Sequence, residues 1–449
     1  MDRDSINLGE VNIPKLFRIY FIPTLLGMLS LCAVTATDGI FVGQGVGSDA
    51  LAAVNICVAP LMVLIGIGLM LGVGCSVVSS IHLAKNNLKA ARLNITQSLL
   101  VGSLIVLVFL AITLPWPKHT GRLLGSSETL LPLITDYMPW IFSTTLFQIW
   151  GLIGLFVVRL DGAPKYAMWC NVLPGLLNIF LDWLFIFPLD MGLRGAGIAT
   201  CLSCLIGGLM AIGYIGFFAN KLRFIAIKRS WKSFRLTLRN IGYQCKIGVS
   251  ALLGETTMGI LMLIGNLVFM KYLGNNGVGA FSIACYYCPF AFMIGNAIAQ
   301  SAQPIISYNY GIKAFRRVWE TEKLAVISSI ICGSVITLTF IFFPKTLVGL
   351  FLSGETQTAQ IAIYGFPYFA AAFIFFIFNL TAIGYFQSVE KVWLSIVFAL
   401  LRGIVFLIPS FLFMPLLFEI RGIWLSLFVS DSLTSVCIII FYLFNHSKD

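Results

Sequence analysis

Charge is what this sequence has least of. Asp, Glu, Lys and Arg make up 10% of its 449 residues, against about a quarter in soluble domains. A soluble enzyme is thereby nearly excluded. Histidine is almost missing too: His82, His119 and His446 are the full set of 3. None belongs to an HExxH pair, which excludes that class of metalloprotease. No GxxxxGK[ST] loop occurs, so ATP hydrolysis is not the energy source. The 11 cysteines are odd in number, and Cys32, Cys57, Cys75 and Cys170 sit inside apolar runs. A disulfide framework would place them in exposed loops. The pairs Cys201/Cys204 and Cys285/Cys288 have metal-like spacing but lie in apolar helices without His, so they read as packing residues. GIGLMLG at 66–72 has no preceding strand and reads as a helix–helix contact through Gly68 and Gly72. The opening MDRDSINLGE is acidic and polar, unlike a cleaved leader, and the first apolar stretch begins near Ile13.

What is present instead is apolar: 59% hydrophobic residues, with 38 Phe and 41 Gly. Windows of about 19 residues give twelve candidate spans, at roughly 14–44, 50–84, 93–115, 130–157, 165–188, 195–218, 244–271, 278–309, 322–343, 358–386, 392–416 and 422–444. The expected fold class is therefore all-α, a polytopic membrane protein. Of the 29 Lys and Arg, 22 fall between spans on the side of the N-terminus and 6 on the other, with Arg402 inside a span. The positive-inside rule then puts both termini in the cytoplasm of a cell that inserts the chain into its inner membrane. The net charge of +11 is explained by orientation and by contact with anionic membrane lipids, so no nucleic-acid partner is implied.

The chain divides into residues 1–220, six spans, and 244–449, six more. Between them, 221–243 is a basic linker in which Phe224, Ile225, Trp231, Phe234 and Leu238 alternate with Lys and Arg. It is expected to form an amphipathic helix in the cytoplasmic interface; a plain basic loop is the alternative. GSDALAAV at 47–54 resembles GNNGVGAF at 274–281, and LRGAGIA at 193–199 resembles IRGIWLS at 420–426. Both likenesses share one offset, from Gly47 to Gly274 and from Arg194 to Arg421, so the halves are duplicates. Six spans per copy give both the same orientation, as in parallel-repeat transporters whose halves enclose a cavity and rock about it.

Ionisable side chains within a span cost roughly 2.5–3.5 kcal/mol each, so each requires a reason. Asp38 lies about 6 residues, or ~9 Å, inside the outer end of the first span. Asp182 and Thr200 come out at the same depth on the fifth and sixth. Asn178 shares the helix face of Asp182. Two carboxylates, a carboxamide and a hydroxyl suit a hard cation such as Na⁺, or a proton shared by the acids. The competing reading makes the acids helix-packing groups. Against it, the repeat offset carries Asp38 and Asp182 onto Gly265 and Pro409, so the cluster belongs to one half only. Glu255 lies near mid-membrane and fits either a cationic substrate or an acid satisfied by Thr256, Thr257 or Gln300. Arg402 lies at mid-depth, and pairing with Glu255 would satisfy both. Asp136 and Asp431 read as structural. Tyr286 and its aromatic neighbours fit either a cavity for aromatic cations or a lipid-facing surface.

These residues carry a likeness. Asp38 followed by FVGQGVGSDALAAV, then DGAPKYAMWCNVLPGLLNIFLDWLFIF, MGLRGAGIAT, AQPIISYNYG and LRGIVFLIPS, resembles the multidrug and toxic compound extrusion (MATE) family. The likeness runs through most of the chain, is stronger in the first half, and is closer to the bacterial DinF-like and MepA-like branches than to the plant and animal branch. It implies two six-helix lobes in a V shape and export of drugs or metabolites by cation antiport. It also implies a Na⁺ or H⁺ site at Asp38, Asn178, Asp182 and Thr200. Glu255 falls where some branches carry a second-lobe acid, but the tenth span offers only Asn379 and Gln387 where those branches have another.

The expectation is thus a monomeric, cofactor-free, non-enzymatic antiporter for small organic, cationic or amphipathic compounds, driven by Na⁺ or H⁺ through alternating access. Glu255, Gln300, Tyr286 and Arg402 are its accessory or substrate residues. A flippase for a lipid-linked precursor is the alternative; it would call for a strongly basic cavity, and Arg402 is the single intramembrane cation. An intramembrane enzyme lacks a metal set or a nucleophile dyad.

Overall fold

The computed structural model describes residues 7–228, 230–351 and 356–446. Arg3, Arg229 and Lys448, counted in the charge balance, lie outside them with both chain ends. Among the described residues all regular structure is helical. In chain order the helices are α1 (Ile13–Gly45), α2 (Ser48–Ala84), α3 (Leu88–Thr113), α4 (Pro117–Leu123), α5 (Leu131–Leu160), α6 (Pro164–Ile186) and α7 (Gly192–Gly213), which runs into a π-helical turn at Tyr214–Phe218. After the linker come α8 (Trp231–Gly311), α9 (Phe315–Phe342), α10 (Pro344–Gly349), α11 (Gln357–Ala370), α12 (Ala372–Ser388) and α13 (Val392–Leu400), a second π-helical turn at Leu401–Val405, and α14 (Leu407–His446).

Nine unbroken runs are long and apolar enough to cross a bilayer, or ten with α11 and α12 joined across their 44° bend. Two of the runs are too long for one crossing. The 81 residues of α8 would reach ~120 Å at 1.5 Å per residue, against a hydrocarbon core of ~30 Å. That helix breaks at Gly274, where φ is 63° and ψ −156°. The run through α14 breaks at Phe418 and Glu419. With these breaks the described residues hold twelve spans, as the hydropathy pattern predicts. The chain is a multi-span membrane protein.

The backbone carries the repeat more clearly than the side chains do. Residues with left-handed φ recur at the same offset: Gly47 (114°) and Gly274 (63°), Asn86 (57°) and Lys313 (60°), Gly192 (58°) and Glu419 (50°). Each pair marks the same junction between helices in the two halves, although only the first keeps glycine in both.

By contacts the chain forms two units, Met1–Leu252 with Ser307–Phe315, and Leu253–Ile306 with Arg316–Asp449. The division falls within α8 and not in the linker that precedes it. The physical reason lies in polar contacts. Gln97 of α3 donates to Thr237 and accepts from Asn240, and Gln244 donates to Asn94 at 2.7 Å. The helix expected over the linker begins only at Trp231. Residues 222–228 take no regular form, and amides at and before this stretch are held by other helices. Asp161 accepts from the N–H groups of Asn220, Lys221 and Leu222 at 2.8–3.0 Å. Thr96 accepts from that of Ile225. A backbone whose donors point to other helices cannot also close a helical ladder.

Within the first unit α5 is central, packing on α7, α2 and α3, while α1 lies along α6. In the second unit α12 and α14 pack together, with α11 and α13 beside them.

Candidate functional site

The line where α1 meets α6 is set by small residues. A methyl group at Gly27 would come within 3.3 Å of the Asn171 amide, and one at Gly175 within 2.7 Å of Val34. Glycine at these points lets the helices close, and both also carry an internal proline, Pro23 and Pro174. Asp38 follows Val34 by one turn, and Asp182 follows Gly175 by two. The close approach therefore brings the two acids to each other.

Asp182 is fully buried, Asn178 one turn earlier is 4% exposed, and Asp38 is half-buried. The carboxyls of Asp38 and Asp182 face one another. Yet Oδ1 of Asp38, both carboxyl oxygens of Asp182 and Nδ2 of Asn178 are buried without a hydrogen-bond partner. Tyr137 of α5, 3% exposed, lies within electrostatic reach of both acids and of Cys57. Cys204 of α7, beside Gln148, lies within reach of Asp38. Nothing in the sequence singles out Tyr137, and Cys204 stands out there only for its spacing from Cys201; that they neighbour the acids becomes visible only once the helices are packed.

Buried polar groups are normally paired, and bare like charges in a low-dielectric interior are costly. A carboxyl pair with orphaned oxygens can meet that demand by sharing a proton or by holding a small hard cation. Thr200, half-buried on α7, donates its hydroxyl to the carbonyl of Ala196 at 3.0 Å. Its lone pairs are left as potential oxygen ligands.

The second half is built differently. Arg402 sits in the π-helical turn, 3% exposed, and is ion-paired to Asp431 at 2.9 Å. The pairing of Arg402 with Glu255 is therefore corrected: Asp431 of α14 takes the guanidinium. Asn379 donates to the same carboxylate oxygen at 2.9 Å, Ser435 donates to Asn379, and the ring of Phe376 lies 4.0 Å from the guanidinium. Glu255 is half-buried on α8 and forms none of the ion pairs among the described residues. Gln300 is 9% exposed and Tyr286 is 64% exposed, the latter stacked on Phe351 at 5.4 Å. Glu255 and Tyr286 stand on opposite sides of the Gly274 break. Among the described residues no three His, Cys, Asp or Glu side chains gather as a metal-binding group.

Comparison with known proteins agrees with this architecture. The MatE family model matches residues 23–184 and again 251–412, so one model recognises both halves. Multidrug export protein MepA of Staphylococcus aureus is 25% identical over 418 residues, 93% of this chain and 90% of the relative. MepA of Staphylococcus haemolyticus is 25% identical over 435 residues, 96% and 93% of the two chains. A solved structure, described as the outward-facing conformation of a multidrug resistance MATE family transporter of the MOP superfamily, aligns with a TM-score of 0.90. It has 22% identity and covers 99% of this chain and 98% of the other. The two share a fold.

Proposed function

The chain belongs to the MatE family of transporters, and from that premise we propose that it exports small organic, cationic or amphipathic compounds in exchange for Na⁺ or H⁺. The name of its MepA relatives, multidrug export proteins, supports the substrate class. The observation that carries the coupling is the Asp38–Asp182 pair, two facing carboxyls with orphaned buried oxygens. A proton or Na⁺ entering there satisfies them, with Asn178 and Thr200 as further oxygen donors. Exit of the ion leaves like charges opposed, which favours a different packing of α1 on α6. Two states of that contact, biased by the ion, are what alternating access requires. One charge moving down 100 mV supplies ~2.3 kcal/mol for export. Glu255, outside the ion pairs of the second unit, is an acid available to meet a cationic substrate.

In this reading the protein lies in the bacterial cell membrane with both termini cytoplasmic and works as a monomer without a cofactor. A lipid-linked precursor is disfavoured as substrate, since Arg402 is committed to Asp431.

The test is dye efflux from proteoliposomes under separately imposed Na⁺ and pH gradients, for the wild type and Asp38→Asn. Gradient-driven efflux is expected in the wild type and lost in the variant. Undiminished efflux by a folded Asp38→Asn protein would refute the assignment.

A further inference from the structure

Glu322 is a buried acid that the coupling pair does not account for. It lies on α9 in the second unit and is 2% exposed. Its Oε1 accepts from the hydroxyl of Tyr442 of α14 at 3.0 Å. Its Oε2 is buried with no hydrogen-bond partner. Glu322 takes part in none of the ion pairs among the described residues.

The charges that could pair with it point elsewhere. On its own helix the residues one turn away are Val318, Trp319, Ala325 and Val326, all uncharged. Lys323 is adjacent in sequence but exposed, and Glu320 is engaged with Arg316 at 3.0 Å. From α14 the facing group is Tyr442; behind it, 6.0 Å away ring to ring, stands Tyr385 of α12. Phe386, Phe398 and Phe441 close the layer around Tyr442.

An ionised Glu322 has one donor where a buried carboxylate needs several, whereas a neutral one can donate from Oε1 to the Tyr442 oxygen or accept from it. The ionised form is the one left short of donors, with Oε2 unpartnered, so the site is suited to holding a proton. Its position is near one end of both helices. Glu322 lies two turns, about 10 Å, beyond the start of α9 at Phe315, and Tyr442 lies about one turn before the end of α14 at His446. Tyr442 is half-buried, with its hydroxyl directed at Glu322.

We propose that Glu322 is a proton-binding site separate from the Asp38–Asp182 pair, with the Tyr442 hydroxyl as its hydrogen-bond partner, toward the membrane face where α9 begins and α14 ends. The step is an acid dissociation: the Glu322 O–H bond breaks, its electron pair stays on the carboxylate, and the proton passes to water. Where Asp38 lies one to two turns from the C-terminal end of α1, Glu322 lies two turns from the N-terminal end of α9. By span order alone, odd-numbered spans run in the same direction, so the two acids lie toward opposite membrane faces.

The test uses the full-length protein in lipid, with infrared difference spectra recorded as the pH is stepped from mildly acidic to mildly alkaline. A protonated-carboxyl band that titrates in the wild type is expected to be lost in Glu322→Gln, which preserves the side chain's size and its acceptor for Tyr442. Tyr442→Phe removes the single donor and is expected to shift the pH at which the band titrates; it serves as the readout if Glu322→Gln does not fold. Spectra of Glu322→Gln identical to those of the wild type, or a titration unmoved in Tyr442→Phe, would overturn the proposal. Asp38→Asn keeps the two readings distinguishable. If that variant retains the Glu322 band while exporting dye normally, the coupling assignment fails and this one stands.

Discussion

Arg402 and Asp431 form a 2.9 Å ion pair with side chains 3% and 1% exposed, at positions whose counterparts in the first half of the repeat are Gly175 and Cys204. The two halves share a backbone plan but carry opposite solutions to buried charge. In the first half, acids face each other without a cation. In the second, the acid is neutralised by a guanidinium, with Asn379, Ser435 and Phe376 around the pair, and Nη2 of Arg402 is buried without a hydrogen-bond partner. An ion site needs an unmet demand, and a pair already met serves the scaffold.

Removing one member of that pair leaves its partner charged and buried. Arg402→Gln or Asp431→Asn is therefore expected to cost about 3–5 kcal/mol. The double replacement Arg402→Met with Asp431→Leu should cost much less than the two single changes together. Denaturant unfolding in detergent micelles measures both. Additive losses would mean that the two side chains stabilise the unit independently.

The opposite sign is expected at the coupling pair. Asp182 has two buried oxygens short of donors and faces another carboxyl, so neutralising it removes a like-charge penalty. Asp182→Asn should leave stability unchanged or raise it by about 1–3 kcal/mol, the usual cost of an unsatisfied buried polar group. It should abolish ion-driven efflux at the same time. A higher melting temperature with lost transport is the signature. Loss of both would make Asp182 a structural acid.

The elements that can be read in advance are those written along one helix. Hydropathy locates all twelve spans, since an uncharged run is a local property, and two short likenesses reveal the repeat offset that the left-handed positions also follow. Asn178 and Asp182 are legible as one face of one helix. Which helices touch is not legible. Nothing in the chain says that Arg402 meets Asp431 rather than Glu255, or that Tyr137 joins Asp38. Glu322 escapes notice because it stands among Arg316, Arg317 and Lys323, where an acid reads as surface. The linker misleads for a related reason. Its periodicity favours a helix, but Thr96 of α3 takes the N–H of Ile225, a donor that a helix begun at Lys221 would need for its ladder.

Gly74 of α2 and Gly248 of α8 face each other's helices at backbone distance. A methyl group at Gly74 would collide with the Gln244 carbonyl, and one at Gly248 with that of Met70. Backbone cannot rotate away as a side chain can. Gly248→Ala is expected to destabilise the first unit by about 1–3 kcal/mol through overpacking, and Gly74→Ala by a similar amount. Ala in place of Gly254, which has open space around it, is the control and should be neutral or mildly stabilising. Melting temperatures of the three variants in one detergent decide it. Equal effects at all three positions would remove the close-contact argument.

Glu419 offers the last comparison, because it repeats the left-handed φ of Gly192 without being glycine. Its φ is 50° and its ψ −130°, a combination that clashes with a β-carbon and costs of order 1–3 kcal/mol. The side chain is exposed and forms none of the ion pairs among the described residues, so shortening it removes little. Glycine is more flexible in the unfolded chain, a penalty of roughly 0.5–1 kcal/mol. The strain relieved is the larger quantity, and Glu419→Gly is expected to stabilise the protein by about 1 kcal/mol. Gly192→Ala, at φ 58°, should do the reverse. Opposite shifts in unfolding midpoint would confirm that the repeat is enforced by the backbone. A destabilised Glu419→Gly would mean that the glutamate side chain makes a contact that outweighs its strain.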